Sequence, residues 1–238
     1  MALYFVSDMH MDDERPDLQA AFFAFIEAYK SDMQALYLLG DVFEYWVGDD
    51  HMSPQSLSVI RAFRTLTDSG VPVFLQHGNR DFLLGKRFLG LTGITLLPDI
   101  HTLQQGSDTL VLCHGDQLCT QDREYQRARY WLRKPSIQWL LRRLPLMMRL
   151  RTAEKARRYS KQHQSGQVRS ALDVTPQAVT QLMAETDATI LIHGHTHQPK
   201  EHPMRENKRR IVLGSWTNQG GVFVKATPDG ITSIPFSV

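Results

Sequence analysis

Cysteine is almost missing from this sequence: Cys113 and Cys119 are the only two among 238 residues. Two thiols six positions apart make neither a disulfide framework nor a zinc knuckle. Any metal must therefore be held by histidine, carboxylate and amide groups. Cys113 reads as a small buried apolar side chain and Cys119 as an incidental thiol. Long apolar runs are missing too, and no stretch approaches the roughly 18–20 uninterrupted apolar residues of a membrane-spanning helix. The opening MALYFVSDMHMDDE has neither a basic segment nor a small-residue cleavage site, so a cytoplasmic protein without a signal peptide is expected. Neither an internal repeat nor a low-complexity tract interrupts the chain.

Acidic residues are scarce in one segment only. Between positions 120 and 170, fourteen Lys and Arg stand against three acids, a balance of +11; the remainder carries −9, and the whole +2. Such a split suggests a segment that meets something anionic, mounted on an acidic body.

What is present alternates. Short apolar runs at 3–7, 36–39, 71–76, 109–113, 189–192 and 211–213 are separated by helix-like periodicity at 16–30 and 53–69, which predicts an α/β fold. Residues 221–236 read as a hairpin turning at Pro228-Asp229-Gly230. Residues 122–169 break the alternation. They are helical by composition, basic, rich in Leu, Met and aromatics, and divided by Pro135 and Pro145 into about three helices. This predicts a helical insert or lid within one domain spanning 1–238.

Five polar clusters follow the apolar runs: Asp8-Met9-His10, Gly40-Asp41, Gly78-Asn79-Arg80-Asp81, His114-Gly115-Asp116 and Gly194-His195-Thr196-His197. Ligands of α/β sheets gather at the carboxyl ends of strands, so loops placed this way can share one site. Asp, His and Asn without Cys offer a mixed oxygen and nitrogen shell, suited to Mn, Fe or Zn. Two ions about 3.5–4 Å apart can clamp a phosphoryl group and activate a water for in-line displacement.

These blocks, in this order, resemble the signature of calcineurin-like metallophosphoesterases. The resemblance implies an α/β/β/α sandwich with a helical lid insert, and two divalent metal ions. Asp8, His10 and His197 would hold one ion, Asn79, His114 and His195 the other, and Asp41 would bridge them. Arg80 stands where many relatives carry His; its planar fork of donors suits a phosphate and the charge developing on it. Asp41, Asn79, Arg80 and His195 are the expected catalytic set.

Narrower features are similar to one branch, the UDP-2,3-diacylglucosamine pyrophosphatases of lipid A synthesis. They are the stretches 37–50 (YLLGDVFEYWVGDD), 77–87 (HGNRDFLLGKR), 113–120 (CHGDQLCT) and 192–197 (IHGHTH). That resemblance implies hydrolysis of UDP-2,3-diacylglucosamine to UMP and 2,3-diacylglucosamine 1-phosphate, usually with Mn²⁺, by a metal-activated water attacking the phosphorus nearer uridine. It carries over Asp122, Ser160, Gln164 and Gln167 as substrate contacts beside Asn79, Arg80 and His195; Gln167 replaces a lysine common in relatives, so a charge contact to phosphate is lost. Acyl chains need an apolar groove, which the insert could line, and its basic amphipathic character suits the anionic cytoplasmic face of the inner membrane. A monomer is expected. His77 and Asp116 are expected to orient metal ligands.

Two alternatives stay open: another phosphoester on the same centre, or a nuclease using the +11 segment. Leucine and methionine outnumber aromatics in that segment, which is poor material for stacking bases, so no nucleic acid partner is expected.

Overall fold

The computed structural model describes residues 1–166 and 173–238, and no side chain from 159 to 166. Eleven strands form two sheets among the described residues. The first holds β1 (Ala2–Val6), β2 (Met33–Leu39), β3 (Val73–Gln76), β4 (Thr95–Leu96), β10 (Gly220–Thr227) and β11 (Gly230–Ser237), in the order β11-β10-β1-β2-β3-β4. The second holds β5 (Ile100–Gln105), β6 (Asp108–Cys113), β7 (Ile190–His193), β8 (Lys200–Pro203) and β9 (Arg209–Val212), in the order β5-β6-β7-β9-β8. Strands β1 to β4 run parallel, as do β6, β7 and β9; the edge hairpins are antiparallel.

Strand β1 explains the layering. Leu3 and Phe5 face the second sheet, where they meet Leu110, Leu112, Ile190 and Ile192. Ala2, Tyr4 and Val6 face the opposite way, onto Phe22 and Phe25 of α1 (Pro16–Tyr29) and the buried side of α2 (Pro54–Asp68). A strand covered on both faces reads as an unbroken apolar run rather than an alternating one. Beyond the second sheet, Val111, Cys113 and Leu191 pack against Val179, Leu182 and Met183 of α7 (Pro176–Glu185). The order is helix, sheet, sheet, helix, which agrees with the expected sandwich. Both cysteines are buried and neither is in a disulfide, and burial pushes the Cys119 thiol up to about 12.

Strands β4, β5 and β8, together with α3 (Lys86–Thr92) and α7, had no counterpart in the sequence reading. They are short or lie at sheet edges, and β5 alternates exposed and half-buried residues, so no apolar run marks them. Between the second sheet's β6 and β7 run α4 (Arg123–Leu132), α5 (Pro135–Arg143) and α6 (Leu146–Gly166). Pro135 opens α5, and Pro145 immediately precedes α6. None of the described helices is long and apolar enough to cross a membrane.

Phe5 is fully buried between the sheets and stacks on Tyr37 with ring centroids 4.9 Å apart. Replacing it with alanine is expected to cost about 3–5 kcal/mol. Denaturant unfolding should register this as a lower midpoint; an unchanged midpoint would mean that the inter-sheet layer does not carry the fold.

Candidate metal centre

The parallel pairing of β1 and β2 does not stop at the strand ends. Asp8 N–H donates to the Gly40 carbonyl, His10 N–H to the Asp41 carbonyl and Glu44 N–H to the Met11 carbonyl, at 3.0–3.1 Å. The loops after β6 and β7 are joined likewise, Gly194 N–H donating to the His114 carbonyl at 2.9 Å. Loops stitched in this way bring distant polar residues together. Close approach also needs glycine. A Cβ on Gly78 would overlap the Asp41 carboxylate, and one on Gly194 would overlap Asp8 and Ser7.

Asp8, Asp41 and His114 are buried, with Asn79, Arg80, His10 and His195 partly so around them. Asp8 Oδ1 lies 3.3 Å from His197 Nε2 and 3.9 Å from His10 Nε2. Asp41 Oδ2 is 3.8 Å from both His10 Nε2 and His114 Nε2, midway between the two groups. Asn79 Oδ1 is 3.0 Å from His114 Nε2 and from His195 Nδ1. All seven residues expected from the sequence to hold metal therefore meet. Five of them, Asp8, His10, Asp41, His195 and His197, have φ between 47° and 68°. A left-handed backbone costs a non-glycine residue roughly 1–2 kcal/mol, and such conformations cluster at functional sites.

The donor chemistry fits a cation. A carbonyl can only accept, so His114 Nδ1, 2.8 Å from the Leu39 carbonyl, carries a proton, and when the ring is neutral Nε2 is the free nitrogen. Its Nε2 lone pair then faces the Asn79 oxygen, acceptor against acceptor. His10 Nε2 and His197 Nε2 face each other at 3.1 Å, where one ring donates and the other accepts. Asp8 Oδ1 is buried without a hydrogen bond, although Oδ2 accepts from Ser7 Oγ and from His195 N–H. Inward-facing lone pairs of this kind are relieved by a positive charge. Two subsets are compact enough for one ion each: Asp8, His10 and His197, and Asp8, Asp41 and His114.

Electrostatics point the same way. Burial alone would raise Asp8, but His197, His114 and His10 hold it well below the usual carboxylate range. Burial alone would depress His10 and His114, yet Glu44, Asp41 and Asp8 raise the first, and Asp41 and Asp8 the second. Burial and the proximity of His114 lower His195 to about 4. Asp81, pushed up to about 6 by burial and by Asp41, ties two loops together by accepting the N–H groups of Gly78 and Val42 at 2.8 Å.

Other residues from the sequence reading fall differently. Asp122 caps α4, its Oδ1 accepting from Tyr125 N–H at 3.0 Å. The side chains of Ser160 and Gln164, and all of Gln167, lie outside the described residues. His77 Nε2 donates to the Leu84 carbonyl, and Asp116 accepts from Tyr125 Oη and Arg129 Nε of α4, so each bonds elsewhere than to a metal-ligand side chain. Arg80 Nη1 is 3.0 Å from Glu44 Oε1, and its Nε is 3.7 Å from Asp41. Glu44 escaped the sequence reading altogether. Burial would raise this acid, but His10, Arg80 and Arg157 hold it below its ordinary value.

Two of the insert's helices, α4 and α6, reach the centre. Arg133 Nη2 donates to the carbonyls of His77 and Gly78, Arg157 Nε lies 2.8 Å from Glu44, and the Tyr125 ring is 6.2 Å from that of His195. The insert is also apolar and open in places: Tyr130, Trp131, Trp139, Leu140, Met147 and Met148 are each more than half exposed. Lys134 sits over the Tyr130 and Trp131 rings, and Arg143 over Trp139.

The profile of the calcineurin-like phosphoesterases matches residues 1–199. A UDP-2,3-diacylglucosamine hydrolase of Ectopseudomonas mendocina is 43% identical over 98% of this chain and 97% of its own length. One from Pseudomonas aeruginosa is 44% identical over 92% and 93%, and one from Tolumonas auensis 43% over 91% and 89%. Among solved structures, a novel archaeal phosphodiesterase superposes with a TM-score of 0.50 at 16% identity, covering 99% of this chain and all of its own, which is a likeness of fold.

An imidazole must give up its proton to take a cation. With His10 and His114 both raised above 6.5 in the metal-free centre, Mn²⁺ affinity is expected to climb with pH through and beyond that value, with protons released on binding. Calorimetry in buffers of different ionisation enthalpy measures the release; an affinity indifferent to pH would contradict it.

Proposed function

This chain belongs to the calcineurin-like phosphoesterase family, and from that premise we propose that it hydrolyses the pyrophosphate bond of UDP-2,3-diacylglucosamine, giving UMP and 2,3-diacylglucosamine 1-phosphate for lipid A synthesis. The chain is a metal-dependent hydrolase, and its relatives carry that substrate in their names at 43–44% identity over nearly the whole chain. One observation supports an acylated substrate in particular. The insert whose Tyr125, Arg133 and Arg157 reach the centre also exposes Trp139, Leu140, Met147 and Met148. Leaving acyl chains in water would cost about 0.8 kcal/mol per methylene, and apolar side chains on the insert that reaches the centre would reduce that cost. We read residues 122–169 as a lid within a single domain.

Asp8, His10 and His197 would hold one divalent ion and Asn79, His114 and His195 a second, with Asp41 between them; Mn²⁺ suits this oxygen and nitrogen set. When bound, such a pair supplies Lewis acidity to the phosphoryl oxygens and an activated water. The protein's own groups do the rest. Ser7 and the His195 N–H fix Asp8, and Arg80 N–H fixes Asp41 through Oδ1 at 2.9 Å. The Arg80 guanidinium, beside Asp41, is close enough to neutralise charge developing on the phosphate. No side chain is needed as nucleophile, so no covalent intermediate is expected, and we assign the attack to the phosphorus nearer uridine. The exposed Trp and Met side chains, flanked by Lys134 and Arg143, suit peripheral attachment to an anionic membrane surface.

The chelated protein should release UMP from UDP-2,3-diacylglucosamine only after Mn²⁺ is restored, and Asp41→Ala should abolish release. Should UMP fail to appear while a generic phosphodiester is cleaved, the lipid assignment falls and the phosphoesterase stands. Arg80→Ala is expected to lower kcat about 10²–10³-fold; steady-state kinetics at saturating metal would show it. In ¹⁸O-water the label should enter UMP, and label found only in the sugar phosphate would reverse the direction of attack. Trp131→Glu with Trp139→Glu should reduce sedimentation with anionic vesicles; undiminished sedimentation would remove this face from membrane attachment.

A further inference from the structure

Glu44 sits where the loop after β2 meets both the centre and α6. Its side chain is 11% exposed and faces three nitrogen groups: His10 Nδ1 is 3.0 Å from Oε2, and Arg80 Nη1 and Arg157 Nε are 3.0 and 2.8 Å from Oε1. Arg157 also reaches Asp12 Oδ2, at 3.6 Å.

Glu44 Oε2 stands 3.0 Å from His10 Nδ1, an ion-pair contact, and a carboxylate there favours the proton on that nitrogen. The other nitrogen, Nε2, then presents its lone pair toward Asp41 Oδ2 and Asp8 Oδ1, 3.8 and 3.9 Å away. A carboxylate behind an imidazole fixes the ring and strengthens it as a ligand. His114 is held differently, its Nδ1 donating to the uncharged carbonyl of Leu39. The two halves of the centre are thus backed unequally, one by a charge and one by a dipole. Glu44 also offsets two guanidinium groups that would otherwise repel a cation entering beside His10. An ion pair that merely docked α6 could use Arg157 with Asp12 and would have no need of the imidazole.

We propose that Glu44 is a positioning residue that aims His10 into the Asp8–His197 half of the centre and keeps Arg80 and Arg157 from opposing the cation there. This rests on the metal centre proposed above and not on which phosphoester is cleaved.

The test is calorimetric titration of the chelated full-length protein with MnCl₂. Glu44→Gln, of nearly the same shape, is expected to weaken one of the two binding events by about 10–100-fold and to leave the other as it is. Arg157→Ala, which loosens α6 but leaves Glu44 on His10, is expected to keep both events at or above wild-type affinity. Glu44→Gln binding both equivalents as the wild type does would overturn the proposal. So would an equal loss in Arg157→Ala, which would make Glu44 a docking residue for the helix. If Glu44→Gln does not fold, as judged by circular dichroism, Glu44→Asp takes its place. It keeps the charge one methylene short and is expected to weaken the same event, and wild-type behaviour in it would count equally against the proposal. A wild-type protein that binds no Mn²⁺ would instead bring down the metal centre itself.

Discussion

Two carboxylates, Asp8 and Asp41, are buried side by side just past the ends of adjacent parallel strands. Like charges taken out of water and set close together are costly unless positive charge or hydrogen bonds answer them. Much of the surrounding structure answers them. Ser7 Oγ and two backbone N–H groups satisfy the outer oxygens, and histidines from both sheets ring the inner ones. The left-handed backbone at Asp8, His10, Asp41, His195 and His197, and the glycines that would overlap the carboxylates if they bore a Cβ, are the geometric cost of bringing those groups so near.

The same electrostatics govern the insert. From the sequence, the basic charge of the insert suggests a segment that meets something anionic. In the fold, Arg129 is taken by Asp116 and Asp99, Arg149 by Asp50 and the Val47 carbonyl, and Arg157 by Glu44. Part of the charge asymmetry between insert and body is therefore spent inside the molecule, fastening one to the other. The outward residues Lys134 and Arg143 rest on aromatic rings among the exposed apolar side chains.

The legibility of the site in the sequence follows from these facts. Asp8, Asp41, Asn79, His114, His195 and His197 could be read because each lies within four residues of the end of an apolar strand, and strand ends converge. Glu44 could not. It lies five residues beyond β2 in a stretch of mixed polarity, and its role depends on His10, Arg80 and Arg157, which only tertiary folding brings together. Asp116 and His77 were misjudged for a related reason. Their positions inside the motifs are plain from spacing, but the direction of each side chain is set by partners, Tyr125, Arg129 and the Leu84 carbonyl, that spacing does not reveal. The sandwich was readable from its doubly covered strands, whereas β5 and β8, at the sheet edge, carry too little apolar pattern to announce themselves.

The pairing of β1 with β10 sets a timetable. Leu3 and Phe5 are hydrogen-bonded neighbours of Ala226 and Val224 in the sheet. At a synthesis rate of about 5–20 residues per second, the first strand leaves the ribosome roughly 10–45 s before its partner does. Until then one edge of β1 stands open, and the strand that leads into Asp8 lacks half of its ladder. Asp8, two residues beyond that strand, gains the full support of its sheet only once the last hairpin has closed against the first strand.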